Sequence, residues 1–223
     1  MPAAPFRDTA NYVHVAARLA AELAEREPNG AFYANQWENI ANREGHRATT
    51  GPEIWEQTAG RIDGFVCAIG TGGTLAGVSS YLKSVHPGIR TAAADPHGAA
   101  MYSWFKHGRL EASGSSVTEG IGLGRVTANI DGAPVDDAYR IDDAEALEVM
   151  FELLRDEGLC VGGSSGVNVA GAIRLARELG PGHTVVTVLC DSGDRYRSKL
   201  FDPGFLRERG LPVPSWLAHP TGG

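Results

Sequence analysis

The sequence predicts an α/β fold in which a mostly parallel sheet is covered by helices on both faces, giving three layers. The main observation is the apolar run of residues 62–69, which leads directly into a glycine-threonine turn and then into apolar residues at helical spacing. The second observation is that strand-like and helix-like segments keep alternating as far as residues 184–190. Strands that alternate with helices are joined by right-handed crossovers, so their sheet is parallel.

The elements follow from apolar pattern and end signals. Asp8 or Thr9 can cap a first helix, while Gly158 and Gly180 can end two later helices. Residues 46–51 are predicted as a polar loop, and residues 211–223 as a surface strap or a partly disordered tail. The predicted strands are 31–34, 62–69, 89–94, 159–161 and 184–190, and the predicted helices are 8–25, 53–58, 75–85, 98–107, 142–157 and 167–179.

Composition excludes several partners. The 223 residues carry a net charge of −7 and the basic residues form no run, so nucleic acid is not expected as a partner. No stretch approaches the roughly 18 apolar residues of a membrane span, and no signal peptide is indicated. Cys67, Cys160 and Cys190 lie in or beside apolar stretches, which predicts buried thiols in a reduced cytoplasm. A cytoplasmic protein is therefore expected.

The turn formed by Gly70, Thr71, Gly72, Gly73 and Thr74 is the first candidate binding site. Glycines let the backbone approach an anion, and threonine hydroxyls and the N–H groups of a following helix then donate hydrogen bonds to it. This pattern predicts a site for a phosphorylated ligand. The alternative is a tight turn that binds nothing.

Further turns are expected at the same edge of the sheet. The turns that begin at Gly70, Gly162 and Asp191 each follow a predicted strand, and ligands of parallel sheets bind beyond the carboxyl ends of the strands. We therefore expect the three turns to converge on one pocket. Ser164 and Ser165 are interpreted as helix-capping hydroxyls. The seven histidines show no metal-ligand spacing, and no serine or cysteine nucleophile with a base is indicated.

Six sequence blocks in order resemble the cysteine synthase (O-acetylserine sulfhydrylase) family of fold type II enzymes, which use pyridoxal phosphate. The resemblance spans nearly the whole chain and implies the large domain of that fold. It also implies an O-acetylserine-like amino acid and sulfide as substrates, and a homodimer. The blocks are NQWEN at 35–39, TTGPEIW at 49–55, GTGGT at 70–74, EGIG at 119–122, GSSG at 163–166 and DSGDRY at 191–196.

The resemblance also implies roles for single residues. The turn of residues 70–74 would hold the cofactor phosphate, and Gln36 would line the amino-acid site. Gly120 and Gly122 would form the pocket wall near the cofactor ring. The turn after the last strand would supply a hydrogen-bonding partner for the pyridine nitrogen. That partner is Ser192 or, as a stronger acceptor, Asp191, and the sequence leaves this choice open.

One family feature is missing. The family holds its cofactor on a lysine within a Ser-x-Lys-x-Arg block, followed by a Ser/Thr-Gly-Asn loop, and neither block occurs here. The three lysines, Lys83, Lys106 and Lys199, stand in other contexts. We expect that about the first third of the family sequence is absent. Residues 1–40 are then a remnant of the small domain, and residues 41–223 are the large phosphate-binding domain and tail.

Three hypotheses follow. The chain is the larger part of a cysteine synthase, or of a cystathionine β-synthase-like enzyme, and needs an N-terminal half from elsewhere. Alternatively, it is a non-catalytic subunit that binds the cofactor or a protein partner. The third hypothesis is a general phosphate- or nucleotide-binding domain. The absence of a P-loop lysine and of the dinucleotide-binding glycine spacing counts against it. A truncated reading frame, a fragment or a split protein would each explain the missing lysine.

Overall fold

The computed structural model of the protein describes residues 6–218. Within them the four strands are β1 Gly64–Ala68, β2 Arg90–Pro96, β3 Asp137–Ile141 and β4 Val185–Val186. A 3₁₀ helix covers Gly193–Tyr196. The α-helices are α1 Tyr12–Arg26, α2 Ala41–Ala48, α3 Thr50–Gln57, α4 Gly73–Val85, α5 Met101–His107, α6 Asp143–Glu157, α7 Gly163–Leu179, α8 Pro203–Glu208 and α9 Ser215–Ala218.

The strands form one parallel sheet in the order β3-β2-β1-β4. Gly64, the first residue of β1, lies between Arg90 of β2 and Val185 of β4. All five residues of β1 are buried, as expected for a central strand covered on both faces. The parallel α/β sheet predicted from the sequence is confirmed.

Alternate residues of β1 enter two separate cores. Phe65 packs with Leu75 and Leu82 of α4 on one face of the sheet. Val66 packs with Val167 and Leu175 of α7 on the other face. The three-layer arrangement is therefore also confirmed, and the end of β1 projects between the two helical layers.

Helix α2 and strand β3 are among the elements that escaped prediction. Helix α2 occupies part of what was predicted as a polar loop, because its residues are mostly polar and small and show no apolar stripe. It can lie against α4 because Gly77 has no side chain: a Cβ there would meet the Arg43 carbonyl oxygen. Strand β3 pairs with β2 at the edge of the sheet, and its two half-buried positions are Asp137 and Arg140 instead of apolar residues. Both elements depend on partners distant in sequence.

The last predicted strand is much shorter than expected. Instead of residues 184–190 it covers only Val185–Val186, because side chains take over the hydrogen bonds beyond that point. Asn168 Oδ1 accepts from Ala68 N–H at 2.6 Å, and its Nδ2 donates to the Val188 carbonyl at 2.7 Å. Thr187 Oγ1 donates to the Val66 carbonyl at 2.7 Å. The segment thus runs beside β1 without a regular ladder.

Other local predictions were also wrong. Residues 31–34 form no strand, and Phe32 among them is 85% exposed. Helix α1 is capped by Asn11, whose side chain accepts from Val13 N–H, instead of by Asp8 or Thr9. Residues 159–161 contribute only one isolated bridge, between Val161 and Ser192.

The serine and cysteine predictions need correction as well. Helix α7 begins at Gly163, so its serines lie inside it, and Ser165 Oγ accepts from Cys190 N–H at 2.9 Å instead of capping the helix. Cys67 is buried, and burial raises its thiol pKa to about 12. Cys160 and Cys190 are exposed, contrary to prediction.

The C-terminal tail packs on the domain as far as it is described. Leu211, Val213 and Leu217 lie against a core cluster that contains Leu206 and Leu200. Residues 219–223 of the predicted strap, and residues 1–5 of the predicted small-domain remnant, lie outside the described residues. No helix within residues 6–218 is long and apolar enough to cross a membrane.

Candidate functional site

The glycine-threonine turn lies between the end of β1 and the start of α4, as predicted. Gly72 precedes α4 with a φ of +95°, a left-handed conformation that favours glycine. A Cβ on Gly72 would meet the Ile130 side chain at 2.7 Å, and one on Gly70 would meet the Gly120 carbonyl oxygen at 2.8 Å. The turn therefore requires glycines for both its conformation and its close neighbours, and it places the amino terminus of α4 beyond the sheet edge.

Helix α2 fixes the hydroxyl groups of this turn. Asn42 Nδ2 donates to Thr71 Oγ1 and to the Gln36 carbonyl, both at 2.9 Å. Thr127 Oγ1 donates to the Thr71 carbonyl at 2.7 Å. Asn42 can reach Thr71 because Gly73, against which it packs, has no side chain. Sequence reasoning missed Asn42, since no helix was predicted for residues 41–48.

His46 of α2 holds the second threonine. Its Nε2 lies 3.1 Å from Thr74 Oγ1, and its Nδ1 lies 2.9 Å from Thr50 Oγ1. Burial lowers the pKa of His46, which favours the neutral imidazole. One ring nitrogen then donates and the other accepts, so the two hydroxyls are oriented in a chain. The only sequence signal for this role is that Asn42 and His46 are four residues apart on one helix face.

A second glycine turn lies beside the first. Gly122 N–H donates to the Ile69 carbonyl at 3.0 Å, which ties this turn to the last residue before Gly70. Gly120 and Gly122 both have positive φ values, of +79° and +96°. The two turns thus form adjacent walls at the end of β1.

The segment around Gln36 closes the site from a third side. Asn129 Nδ2 donates to the Gln36 and Trp37 carbonyls, each at 2.9 Å. Glu38 forms an ion pair with Arg125 and accepts from Ala128 N–H at 2.9 Å. The hydrogen bond from Arg125, followed by that from Ala128, holds the pKa of Glu38 below its ordinary value, so its carboxylate stays charged at neutral pH. The segment is fixed to residues 125–129.

These three walls enclose a cavity of about 670 Å³. This is within the range of roughly 300–1,000 Å³ for small-molecule sites. Aromatic and aliphatic side chains cover much of its remaining surface, from Phe6, Tyr12, Val13, Trp37, Ile121 and Leu123. Five of the predicted site residues line it: Gln36, Gly70, Thr71, Gly120 and Gly122.

The turn after β4 is placed differently from the prediction. Neither its residues nor Gly162 line the cavity; instead, Gly162 N–H donates to the Asp191 carbonyl at 2.9 Å. Of the three turns expected to share a pocket, only the one at Gly70 lies at this cavity. The turns at Gly162 and Asp191 meet each other.

Asp191 and Ser192 differ in their hydrogen bonds. Ser192 is exposed and accepts from Asp194 N–H at 3.3 Å, capping the 3₁₀ helix. Asp191 Oδ2 accepts from the Tyr196 hydroxyl at 2.7 Å, and burial together with this bond raises the Tyr196 pKa to about 12. The other oxygen, Asp191 Oδ1, is buried and has no hydrogen-bond partner among the described residues. Asp191 thus has acceptor capacity left, whereas Ser192 is engaged in its own turn.

None of the three lysines belongs to the residues that line the cavity. Lys83 Nζ lies 2.6 Å from Asp136 Oδ2. Lys106 is paired with Asp137, and Lys199 with Glu119. The described site therefore fits the phosphate and the body of pyridoxal phosphate through glycines, hydroxyls and apolar walls. It does not include the amine that would bind the cofactor aldehyde.

Comparison with known proteins identifies relatives over most of the chain. The sequence profile of the family described as "Pyridoxal-phosphate dependent enzyme" matches residues 6–191. Cysteine synthase 1 of Neurospora crassa is 46% identical over 95% of this chain and 56% of its own length. Cysteine synthase 2 of Schizosaccharomyces pombe is 43% identical over 96% of this chain and 58% of its own length.

A solved structure agrees with the sequence relatives. The O-acetylserine dependent cystathionine beta-synthase of Helicobacter pylori is 32% identical, with a TM-score of 0.72 over 82% of this chain and 57% of that one. The chain spans a little over half the length of the relatives that it matches. With the family profile covering 6–191 and the fold in agreement, the chain belongs to the pyridoxal-phosphate dependent enzymes of fold type II.

Proposed function

We propose that this chain carries the cofactor-phosphate site of a cysteine synthase-like enzyme, which replaces the acetate of O-acetylserine with sulfide to form L-cysteine. The observation that carries the proposal is the cavity in which Gly70 and Thr71 stand beside Gln36, Gly120 and Gly122. The names of the two fungal relatives support the reaction. The structural neighbour supports a related alternative, a cystathionine β-synthase-like reaction with the same activated serine.

The residues of the turn would hold the phosphate. The Thr71 and Thr74 hydroxyls, oriented by Asn42 and His46, and the N–H groups at the start of α4 would donate to its oxygens. When bound, pyridoxal phosphate supplies an electron sink for the carbanion at the amino-acid α-carbon. Gln36 would contact the amino acid, and Gly120 and Gly122 would leave room for the ring. The assignment of Asp191 or Ser192 to the pyridine nitrogen stays a prediction from the resemblance, because neither residue lines the cavity in this structure.

Catalysis needs a lysine that this site does not include. We propose that activity requires a lysine from outside these 223 residues. The second candidate function is a non-catalytic subunit that binds the cofactor. It is favoured because the amines of all three lysines are paired with carboxylates. The homodimer and the cytoplasmic location stay predictions from the resemblance and the composition.

The first test measures cofactor binding. Absorbance titrations with pyridoxal phosphate and with pyridoxal should show tighter binding of the phosphorylated compound. Thr71→Val should weaken pyridoxal phosphate binding about tenfold by removing one oriented hydroxyl. Thr58→Val is the matched control, since the Thr58 hydroxyl bonds only within α3 and its end. Equal binding of the two compounds would overturn the phosphate site.

The second test separates the two candidate functions. After borohydride treatment, mass spectrometry should find no specific adduct on Lys83, Lys106 or Lys199. Cysteine formation from O-acetylserine and sulfide should be absent for the chain alone and appear when a polypeptide carrying the family's lysine block is added. A visible Schiff-base band with an adduct on one lysine would instead show that the chain supplies its own amine. No activity after addition would favour the non-catalytic subunit.

A further inference from the structure

Helix α2 lies behind the threonines of the glycine-threonine turn, and its hydrogen bonds decide in which direction their hydroxyl protons point. Asn42 Nδ2 lies 2.9 Å from the Gln36 carbonyl oxygen and 2.9 Å from Thr71 Oγ1. A carbonyl oxygen can only accept, so the nitrogen of the Asn42 amide, and not its oxygen, must face Gln36. The two N–H bonds of this nitrogen then serve one acceptor each, and Thr71 Oγ1 accepts from Asn42.

The acceptor sites of the Thr71 hydroxyl are thereby filled. Besides Asn42 Nδ2, the N–H of Gly73 donates to Thr71 Oγ1 at 3.4 Å. A threonine hydroxyl has two acceptor lone pairs and one proton. With both lone pairs engaged, the hydroxyl can form a further bond only as a donor, and no residue within 6–218 accepts its proton. Thr71 lines the cavity, so this proton is available to an acceptor that enters there.

His46 stands one helical turn after Asn42 and meets the second threonine. Its Nε2 lies 3.1 Å from Thr74 Oγ1, and its Nδ1 lies 2.9 Å from Thr50 Oγ1. A neutral imidazole has one N–H, which leaves two possible directions for this chain of bonds. Either Nε2–H donates to Thr74 and Thr50 donates to Nδ1, or Nδ1–H donates to Thr50 and Thr74 donates to Nε2. Only the first direction leaves the Thr74 proton free for a ligand.

We infer that Asn42 and His46 are positioning residues that act as hydrogen-bond donors, so that both threonine hydroxyls must donate to the cofactor phosphate. For His46 this requires the Nε2–H tautomer, with the Thr50 hydroxyl donating to Nδ1. Phosphate oxygens only accept, so a hydroxyl whose proton pointed back at α2 would face them with its own lone pairs. The inference rests on the proposed function for the ligand. It assigns the direction of each bond to two residues behind the threonines.

The competing explanation is that Asn42 and His46 only pack α2 against α4. Such packing exists, since a Cβ on Gly73 would meet the Asn42 amide and one on Gly77 would meet the His46 Cβ. A packing role predicts that substitutions weaken the binding of pyridoxal phosphate and of pyridoxal alike. A donor role predicts a loss confined to the phosphorylated compound, and a loss that depends on whether the new side chain donates or accepts.

Asn42→Asp tests the first donor, because it keeps the shape of the side chain but presents only acceptors. The Thr71 hydroxyl should then donate to the carboxylate. In absorbance titrations of the full chain, we expect pyridoxal phosphate to bind about tenfold more weakly and pyridoxal to bind unchanged. Asn39→Asp adds the same charge three residues earlier and keeps the acceptor for Ala41 N–H, so it controls for repulsion and should have a smaller effect. In a Thr71→Val background, Asn42→Asp should cost no more than this control.

His46 offers a matched pair of variants. The amide nitrogen of glutamine can take the place of Nε2 and donate to Thr74, whereas the shorter asparagine amide takes the place of Nδ1. His46→Gln should therefore keep most of the preference for pyridoxal phosphate over pyridoxal, and His46→Asn should reduce it about tenfold. Nitrogen NMR shifts of the parent chain with pyridoxal phosphate bound, assigned with His46→Gln, should show a protonated Nε2 and an unprotonated Nδ1. Circular dichroism must show that each variant is folded.

Several results would overturn the inference. These are equal losses of pyridoxal phosphate and pyridoxal binding in Asn42→Asp, the same loss with and without the Thr71 hydroxyl, equal losses in His46→Gln and His46→Asn, or an Nδ1–H tautomer of His46 in the bound state. In each of these cases the parent chain still prefers the phosphorylated compound, and the proposed function stands. Equal binding of the two compounds by the parent chain would overturn the proposed function and this inference together.

Discussion

Helices α4 and α1 have similar lengths and both carry apolar residues at helical spacing, yet they differ completely in burial. Seven of the 13 residues of α4 are buried, whereas none of the 15 residues of α1 is. Leu82 of α4 is fully buried between the sheet and its neighbours, but Leu19 of α1 is 51% exposed and Tyr12 is 56% exposed. Periodicity thus predicts that a helix forms, but burial depends on whether another element covers its apolar face.

The difference shows where the stability of the chain lies. The layer around β1 and α4 is close-packed, with backbone approaches that only glycines allow. The segment before α2 is held mainly by hydrogen bonds, such as those from Asn129 to the Gln36 and Trp37 carbonyls. We expect core changes to act on global unfolding and changes in α1 to act locally.

The largest expected effect comes from truncating a leucine in each helix. Leu82→Ala should lower the free energy of unfolding by about 2–5 kcal/mol, because it removes buried methyl groups and leaves a cavity. Leu19→Ala, the matched control in α1, should change it by less than about 0.5 kcal/mol. Urea denaturation followed by circular dichroism measures both. Similar losses in the two variants would show that α1 is packed as part of the core.

An intermediate effect is expected from the buried carboxyl group of Asp95 at the end of β2. Burial raises its pKa to about 6, although Tyr102 N–H and the Arg140 charge act in the opposite direction. Between about pH 4 and pH 6 the folded chain keeps this proton while the unfolded chain has lost it. The contribution of Asp95 to the free energy of unfolding therefore falls as pH rises through this range, by on the order of 2–3 kcal/mol.

Asp95→Asn tests this pH dependence. The amide oxygen can still accept from Tyr102 N–H, a bond of 2.8 Å in the structure, but the side chain no longer titrates. The variant should gain stability relative to the parent chain as pH rises from 4 to 7, as measured by thermal unfolding. Asp8→Asn, in the exposed N-terminal segment, controls for the loss of one negative charge. A constant difference between Asp95→Asn and the parent chain would contradict the raised pKa.

The smallest expected effect concerns the cap of α1. Asn11→Ala removes the acceptor for Val13 N–H, a bond of 3.0 Å, and should weaken the helix by about 1 kcal/mol. Hydrogen exchange should become about fivefold faster at amides of α1 and stay unchanged in β1. Asn11→Ser keeps a capping oxygen and should restore protection. Faster exchange throughout β1 would show that the two regions unfold together.

The glycine turns and the central strand could be predicted because their signals are local. Gly70 to Thr74 follow an apolar strand and precede a helix in the sequence itself, and the structure places them there. The helix that fixes the turn could not be predicted, because Asn42 and His46 lie in a polar stretch without an apolar stripe, and this stretch packs against Gly73 and Gly77 of α4. The pairing of Asp191 with Gly162 was also out of reach, since strand ends alone do not say which loops meet.

By itself, the sequence determined the alternation of strands and helices, the glycine turn, the family resemblance and the absence of the family's lysine block from these 223 residues. Those properties depend on residues that are neighbours in the sequence, or on which residue type stands at a given position. Only the tertiary structure decided that the Asn168 side chain bonds both Ala68 and Val188, and that the Asp191 turn does not line the cavity. It also decided that Arg125 stands in the cavity wall beside Phe6, Trp37 and Glu38. These contacts join residues far apart in the chain, and their geometry is set by how closely the packed layers approach.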